Sequence, residues 1–500
     1  MNLDNLPVEW SVSQLTKMIA SEGLISDGDW IESKDQDEKG DIRLIQLADI
    51  GDGDFRDKSN RYMNQDAFDR LNCVELKAND VLIARMPDPL GRACIFPKLP
   101  YKCVTVVDVC LIRTGERSAI SPKLLKYWIN STQIRNLIAL NATGTTRKRI
   151  TRKKLESFDF PVPPLAEQQE IVRQLDVMLA QVEQIKARLD AIPTILKKFR
   201  QSVLADAVSG KLTEEWREQE KIKPQIKELQ DLKDSLIKSK EIKKDLEVIG
   251  AETLFEIPEN WGNLALQSFA SKITDGEHST PKRESAGHYL LSARNVRDGY
   301  IDVSNVDYVG IEEFSKLRKR CDPNKGDVLI SCSGSVGRIA LVDKDDEYVM
   351  VRSAALVKTL DSFIDNKFLM YVLQSPYLQK QIDEKSKSTA QSNLFLGQIK
   401  ELSIPYPSLK EQKEIVQQVE SLFKNASLIE TAVQSAQKRV NLLTQSILAK
   451  AFSGELTAEW REQHQDLITG VNSAEALLVK IQAEREASKP AKKTRKKKEV

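Results

Sequence analysis

Histidine occurs only three times in these 500 residues, as His278, His288 and His464, and cysteine only six times, as Cys73, Cys94, Cys103, Cys110, Cys321 and Cys332. No two of them stand at a ligand spacing such as CxxC, so no zinc site or other metal site is expected, and the cysteines read as free thiols of a reducing cytoplasm. No apolar run approaches the ~20 residues of a membrane-spanning helix. The start, Met1-Asn2-Leu3-Asp4-Asn5, lacks the basic and apolar regions of a signal peptide, which leaves a soluble, cytoplasmic protein without a membrane partner as the expectation. Nucleotide chemistry is absent as well: there is no GxxxxGK[ST] loop and no dinucleotide fingerprint, and Gly334-Ser335-Val336-Gly337-Arg338 is a glycine-bearing turn. His278, inside the polar run Asp275-Gly276-Glu277-His278-Ser279-Thr280-Pro281, has no evident triad partner, and Pro87-Asp88 is followed by no acidic-x-Lys pair. No catalytic constellation emerges. With 75 basic against 73 acidic residues, bulk charge does not point to nucleic acid either.

What the chain does have is itself, twice. The nineteen residues from Gln201 to Gln219 return from Gln445 to Gln463 with fourteen identities, at an offset of 244. The same offset carries Pro161, Pro163, Leu165, Glu167, Gln168, Ile171 and Val172 onto Pro405, Pro407, Leu409, Glu411, Gln412, Ile415 and Val416. Duplication is the economical account. The remaining halves repeat loosely: Leu6-Pro7-Val8-Glu9-Trp10 answers Ile257-Pro258-Glu259-Asn260-Trp261, and Asp80-Val81-Leu82-Ile83 answers Asp327-Val328-Leu329-Ile330. One segment held fixed while another diverged implies a common frame carrying two different reading heads.

The fixed block reads as a long helix with a coiled-coil seam. Ile171, Leu175, Met178, Val182, Ile185, Leu189 and Ile192 alternate in steps of four and three, as do Ile415, Val419, Leu422, Ala426, Ile429, Val433, Ala436 and Val440. Gly210 and Gly454 mark the stops, and Pro193 is a candidate kink. Each helix would extend on the order of 60 Å. Antiparallel pairing of the two would relate the units by an approximate two-fold axis, with heads at opposite ends of a rod. The heads carry short aliphatic runs typical of strands (Ile42 to Ile50, Asp80 to Arg85, Val104 to Ile112, Asp327 to Ser331, Arg338 to Val342, Ala354 to Thr359), each closed by a helix, Pro122 to Ile138 or Asn366 to Ile382. The expected class is α+β: mixed heads at 1–160 and 254–404, coiled-coil helices at 161–219 and 405–463, a charged helical connector at 220–253, and a C-terminal helix with a disordered basic tail at 464–500. Asn472, with Glu475 three residues on, is the expected cap of that last helix.

The paired patterns Pro161-Val162-Pro163-Pro164-Leu165-Ala166-Glu167-Gln168 and Pro405-Tyr406-Pro407-Ser408-Leu409-Lys410-Glu411-Gln412, each followed by a coiled-coil helix and an Ala-x-Ser-Gly-x-Leu-Thr ending, resemble the DNA specificity subunit of type I restriction-modification enzymes. The Trp216-Arg217-Glu218 and Trp460-Arg461-Glu462 endings resemble its type IA branch. The resemblance implies two target-recognition domains, each reading one half of a bipartite, asymmetric site in double-stranded DNA, with the coiled coil setting the unread spacer. It implies no cofactor in this chain. Two modification subunits would carry S-adenosylmethionine and methylate adenine, and two restriction subunits would use ATP and magnesium. A non-catalytic coiled-coil adaptor whose heads bind protein is the alternative.

Six basic residues in eight, Arg147, Lys148, Arg149, Arg152, Lys153 and Lys154, together with Thr145 and Thr146, suit phosphate contacts. The corresponding stretch of the second copy has Thr389, Gln391, Ser392 and Asn393, suited to amide readout of bases. Arg85, Arg294, Asn295 and Arg338 complete the candidate DNA-binding set.

Overall fold

Two compact units make up the chain in its computed structural model, Met1–Asp190 with Ser435–Val500, and Ala191–Gln434. The structure describes residues 5–87, 89–145, 147–387 and 392–488; the expected basic tail falls beyond them. Each unit consists of one head, the first half of one long helix and the second half of the other.

In the first unit a four-stranded antiparallel sheet runs in the order Leu24–Asp27, Val109–Arg113, Val81–Ala84, Ala93–Ile95. The all-aliphatic strand Val81–Ala84 shows why it lies at the centre. Side chains alternate across a strand, so Val81 and Ile83 enter one core with Trp128 and Leu124 while Leu82 and Ala84 enter another with Cys94 and Leu111. Each fully buried aliphatic of this kind contributes roughly 1.5–3 kcal/mol. A smaller sheet, Tyr62–Met63, Ile42–Ile45 and Cys103–Thr105, stands beside it. The expected single strand from Val104 to Ile112 is therefore two strands in two sheets, interrupted at Val106 to Asp108 where the chain crosses between them. The second head repeats the plan: Ala270–Asp275, Ala354–Thr359, Val328–Ser331 and Ile339–Leu341 form the four-stranded sheet, with Val328 and Ile330 in one core and Leu329 in the other. The closing helix is likewise two helices in both heads, Pro122–Ile129 then Thr132–Asn141, and Asn366–Gln374 then Pro376–Ser386. Ser131 and Ser375 sit between them in extended conformation; Pro376 enforces this on Ser375, because a residue before proline is excluded from the helical region.

Both ends of each head meet before its long helix starts: Ser11–Gln14 pairs with Asp159–Val162, and Gly262–Ala265 with Ser403–Tyr406. The helices Leu165–Val208 and Leu409–Ser453 then run unbroken, the first straight through Pro193. Within each unit the pairing is antiparallel. Ile171, Leu175 and Val182 pack with Ile447, Leu448, Ala451 and Phe452 in one, and Val203, Leu204 and Ala207 with Ile415, Val416 and Val419 in the other. The seam does not stay buried along its whole length: Ile185 and Ile429, expected inside it, are 44% and 50% exposed.

A buried carboxylate ties the ends together in each unit. Glu167 accepts from the Trp10 indole N–H at 2.8 Å, from Thr457 Oγ1 at 2.7 Å and from Arg461 Nε at 3.0 Å. Glu411 accepts from Trp261 at 3.0 Å, Thr213 at 2.9 Å and Arg217 at 2.8 Å. Both carboxylates are fully buried. The stopping glycines close the same joint: Gly454 and Gly210 have φ of +80° and +78°, and a Cβ on either would lie 2.4 Å from Cγ of Pro7 or Pro258. Only glycine satisfies both the dihedral and the space.

The connector is not a free linker. Its helix, Ile226–Lys238, buries Leu229 and Lys233 against the second head, with the Lys233 ammonium donating to the carbonyls of Gln267 at 3.0 Å and Ala270 at 2.6 Å. The C-terminal helix, Ala474–Ala487, treats the first head the same way: Ile481 is buried and Arg485 donates to the carbonyls of Thr16 and Ile19. Its cap is Ser473, whose Oγ accepts from Ala476 N at 3.2 Å, rather than Asn472, which lies in the preceding turn.

Candidate nucleic-acid interface

Four loops gather at one edge of the central sheet in each head, brought there by where the strands end. In the first head, Asp29 N donates to Thr105 O at 2.8 Å, Gly28 N to Val109 O at 2.8 Å, and Ile150 N to Arg85 O at 3.1 Å. Gly28 permits this crossing, since a Cβ there would sit 1.9 Å from Val106 O. Arg85 itself is buried, ion-paired with Asp27 and bonded to Val107 O. It fastens the edge from within.

The basic stretch divides into two kinds of residue. Thr143 and Arg149 exchange backbone bonds of 2.9 and 2.8 Å and so close a turn on which Gly144, with φ of +108°, Thr145, Arg147 and Lys148 are exposed. Arg149 bonds Val107 O at 3.1 Å and approaches Asp108 at 3.5 Å, and Arg152 reaches Ile25 O at 3.1 Å and Glu156 at 3.3 Å. These two anchor the turn. Thr145, Arg147 and Lys148 stand exposed on it, and neither cation has a partner among the described residues; Thr146 lies outside those residues. Lys153 and Lys154 are exposed beside them. Trp30 is 68% exposed on the neighbouring loop, and its place after Asp27-Gly28 is the one sequence signal that marks it.

The second head builds the same edge from different side chains. Glu277 N donates to Met350 O at 2.9 Å, Arg352 N to Glu277 O at 3.1 Å, and Leu394 N to Cys332 O at 2.9 Å. Cys332 thus stands where the first head has Arg85, and Arg352 where it has Val107. Arg352 is exposed, with its guanidinium unpaired among the described residues, and sequence reasoning missed it. Ser392 is exposed and Asn393 bridges to Ser333, whereas Thr389 and Gln391 lie outside the described residues. Arg338 is half-buried, with no side-chain partner among the described residues. Arg294 pairs with Asp307 at 3.0 Å, apart from this edge. Asn295 is buried and fully engaged, accepting from Ser292 N at 3.0 Å and donating to Asp302 O at 2.9 Å and Asn305 O at 3.1 Å. It caps a turn.

His278 gains the acidic neighbour its sequence did not reveal, Asp275 at 2.8 Å, but Asp275 also holds Arg320 at 2.6 Å, and Ser279 Oγ bonds Glu277 at 3.0 Å. The group is an ion-paired turn. Burial pushes all six thiols up to about 12, so they stay protonated at neutral pH.

Residues 7–194 and 258–437 each match the family model described as the type I restriction modification DNA specificity domain. The chain belongs to that family. It is 39% identical over 363 residues to the EcoBI specificity subunit of Escherichia coli, covering 72% of this chain and 71% of that one. To the EcoDI specificity subunit of Escherichia coli it is 34% identical over 513 residues, covering 99% and 100%. Among solved structures, the HsdS subunit of Thermoanaerobacter tengcongensis shares the fold with a TM-score of 0.55 at 18% identity, over 90% of this chain and 98% of that one. The two loop edges are therefore those of a specificity subunit with two DNA recognition domains. No helix among the described residues is long and apolar enough to cross a membrane.

Proposed function

We propose that the first head reads one half of a bipartite, asymmetric double-stranded DNA site and the second head the other, with the paired helices setting the spacer. One observation carries this reading: the same edge, closed in both heads by two corresponding backbone bonds, bears Arg85, Val107 and the Arg147-Lys148 turn in one head but Cys332, Arg352 and Asn393 in the other. A shared frame with exchanged side chains suits two different sequences. Arg147, Lys148 and Arg352 serve phosphates or guanines, and Ser392 and Asn393 suit base edges. The chain itself catalyses nothing in this reading. In the cytoplasm it joins two modification subunits, which bring S-adenosylmethionine and methylate adenine, and two restriction subunits, which bring ATP and magnesium. The test is reconstitution. The purified chain alone should neither methylate nor cut DNA, and the modification subunit should methylate a defined site only when the chain is added; turnover by the chain alone, or methylation indifferent to it, would overturn the reading.

A further inference from the structure

The two edges differ in where each puts an aromatic ring. In the first head Trp30 follows Asp29, whose N–H is held by Thr105 O at 2.8 Å and whose carboxylate accepts from Val74 N at 3.1 Å. The equivalent residue of the second head, after the Glu277 N–H held by Met350 O at 2.9 Å, is His278. In the second head Phe395 follows Leu394, whose N–H is held by Cys332 O at 2.9 Å, and the residue after the matching Ile150 of the first head is Thr151. Trp30 is 68% exposed and Phe395 53%. Each ring thus stands in water on a backbone pinned one residue earlier, but on a different loop in each head.

Neither ring serves the fold. Thr151 and Phe395 both occupy the cap position of a short helix, Arg152–Glu156 and Leu396–Lys400. Thr151 Oγ1 accepts from Lys154 N at 3.4 Å, as a cap does, whereas phenylalanine offers no acceptor, and the Phe395 N–H is taken by Gln398 Oε1 at 2.9 Å. Phenylalanine at a cap breaks a strong local preference, and such breaks concentrate at functional sites. Trp30 rests its indole N–H on Glu32 at 3.2 Å and forgoes the stabilisation that burial of so large a side chain would give.

The rings have cations for neighbours. Arg149 bonds Val107 O, two residues beyond Thr105, so the loop of Trp30 and the turn of Arg147 and Lys148 are fixed to one short connection. Cys332 N bonds Ser353 O at 2.8 Å, which sets Arg352 on the loop beside that of Phe395. A ring among cations suits bases stacked between charged backbones better than an apolar protein surface. We infer that Trp30 and Phe395 are wedges that enter the base stack, one in each half-site, and open a base step there. Because the rings stand on different loops, the opened step falls at a different place in the two half-sites. This rests on the function proposed above.

The chain with its host's modification subunit, bound to DNA carrying both half-sites, provides the test. Of the six tryptophans only Trp30 belongs to an edge, so the fluorescence lost in Trp30→Phe isolates its share, and DNA added to the assembled complex should quench most of it; Phe395→Trp should gain a signal quenched in the same way. Trp30→Ala should weaken binding roughly five- to 150-fold, the loss expected of one base–aromatic stack, with the salt slope unchanged because no phosphate contact is removed. Trp30→Phe should keep most of the affinity. Phe395→Thr should weaken binding over the same range while thermal unfolding stays level or rises, since it restores a cap. Trp30 fluorescence indifferent to DNA, alanine and threonine variants that bind like the wild type, or a Phe395→Thr chain that unfolds earlier would overturn the inference alone; an unaltered complex that prefers no defined DNA site would overturn the functional reading beneath it.

Discussion

Replacing Glu411 by Ala removes the single acceptor on which three donors of the second unit converge. Arg217, whose side chain is 15% exposed, is left without its carboxylate, and the Trp261 N–H and Thr213 hydroxyl lose theirs. Breaking a buried ion pair by deleting one partner costs about 3–5 kcal/mol. Each orphaned neutral donor adds up to ~1–3 kcal/mol where water cannot reach it. The three act as one network, so the terms do not simply add, and about 3–5 kcal/mol is the expected total. That is a large fraction of the ~5–15 kcal/mol that holds a typical domain. Glu411→Gln keeps an acceptor and loses only charge assistance, for about 1.5–3 kcal/mol. Hydrogen exchange under native conditions is the appropriate assay because the first unit, with Glu167 intact, serves as an internal reference. Protection should fall in 191–434 and persist elsewhere. Adding Arg217→Met to Glu411→Ala should restore part of the loss. A cost below about 1 kcal/mol, or an equal loss in both units, would refute the assignment of this carboxylate as the joint.

Replacing Arg147 and Lys148 by Ala should weaken DNA binding and reduce the log–log salt slope by roughly 0.9 for each phosphate no longer neutralised, with sequence preference unchanged, as measured by binding titrations from low to moderate salt. Arg352→Ala should relax discrimination or lower affinity at the second half-site only, read by competition among half-site variants. Burial alone pushes the Lys233 ammonium down to about 8. Because this folded value lies below the ~10.4 of an unfolded lysine, the unfolded state binds more protons between them, and stability of the wild type should rise relative to Lys233→Arg as pH passes from about 8 toward 10; denaturant midpoints of the two proteins should diverge in that window and run parallel below it. Inserting four residues near Val182 lengthens the helix by ~6 Å, close to two base pairs at ~3.4 Å each, and should change spacer length while both half-sites persist.

The duplicated frame was legible because it is written in identities: Gly210 with Gly454, Glu167 with Glu411 and Trp10 with Trp261 were all visible as repeats. What they do together was not, since Trp10, Glu167 and Arg461 meet from three distant segments. That the connector helix and the C-terminal helix, both expected, clasp the heads was not legible for another reason. Leu229 and Ile481, or Lys233 and Arg485, preserve only bulk and charge, and a lysine in a charged run reads as solvated until two carbonyls are seen to hold it. At the first head's edge, sequence singled out the basic turn but could not sort its cations, because whether Arg149 anchors and Arg147 projects depends on where Val107 and Asp108 lie. Arg352 was missed since its significance comes from standing opposite Glu277 across a loop rather than from any neighbour in sequence.

The proposal that each head reads its half-site through its own edge has a direct test. Replacing Gly262 to Tyr406 by the equivalent first-head segment, Ser11 to Val162, and sequencing the methyladenine pattern of the host genome tests it directly. The predicted pattern has the first half-site on both sides of the spacer. An unaltered motif, or a methylated motif containing neither original half-site, would contradict the account.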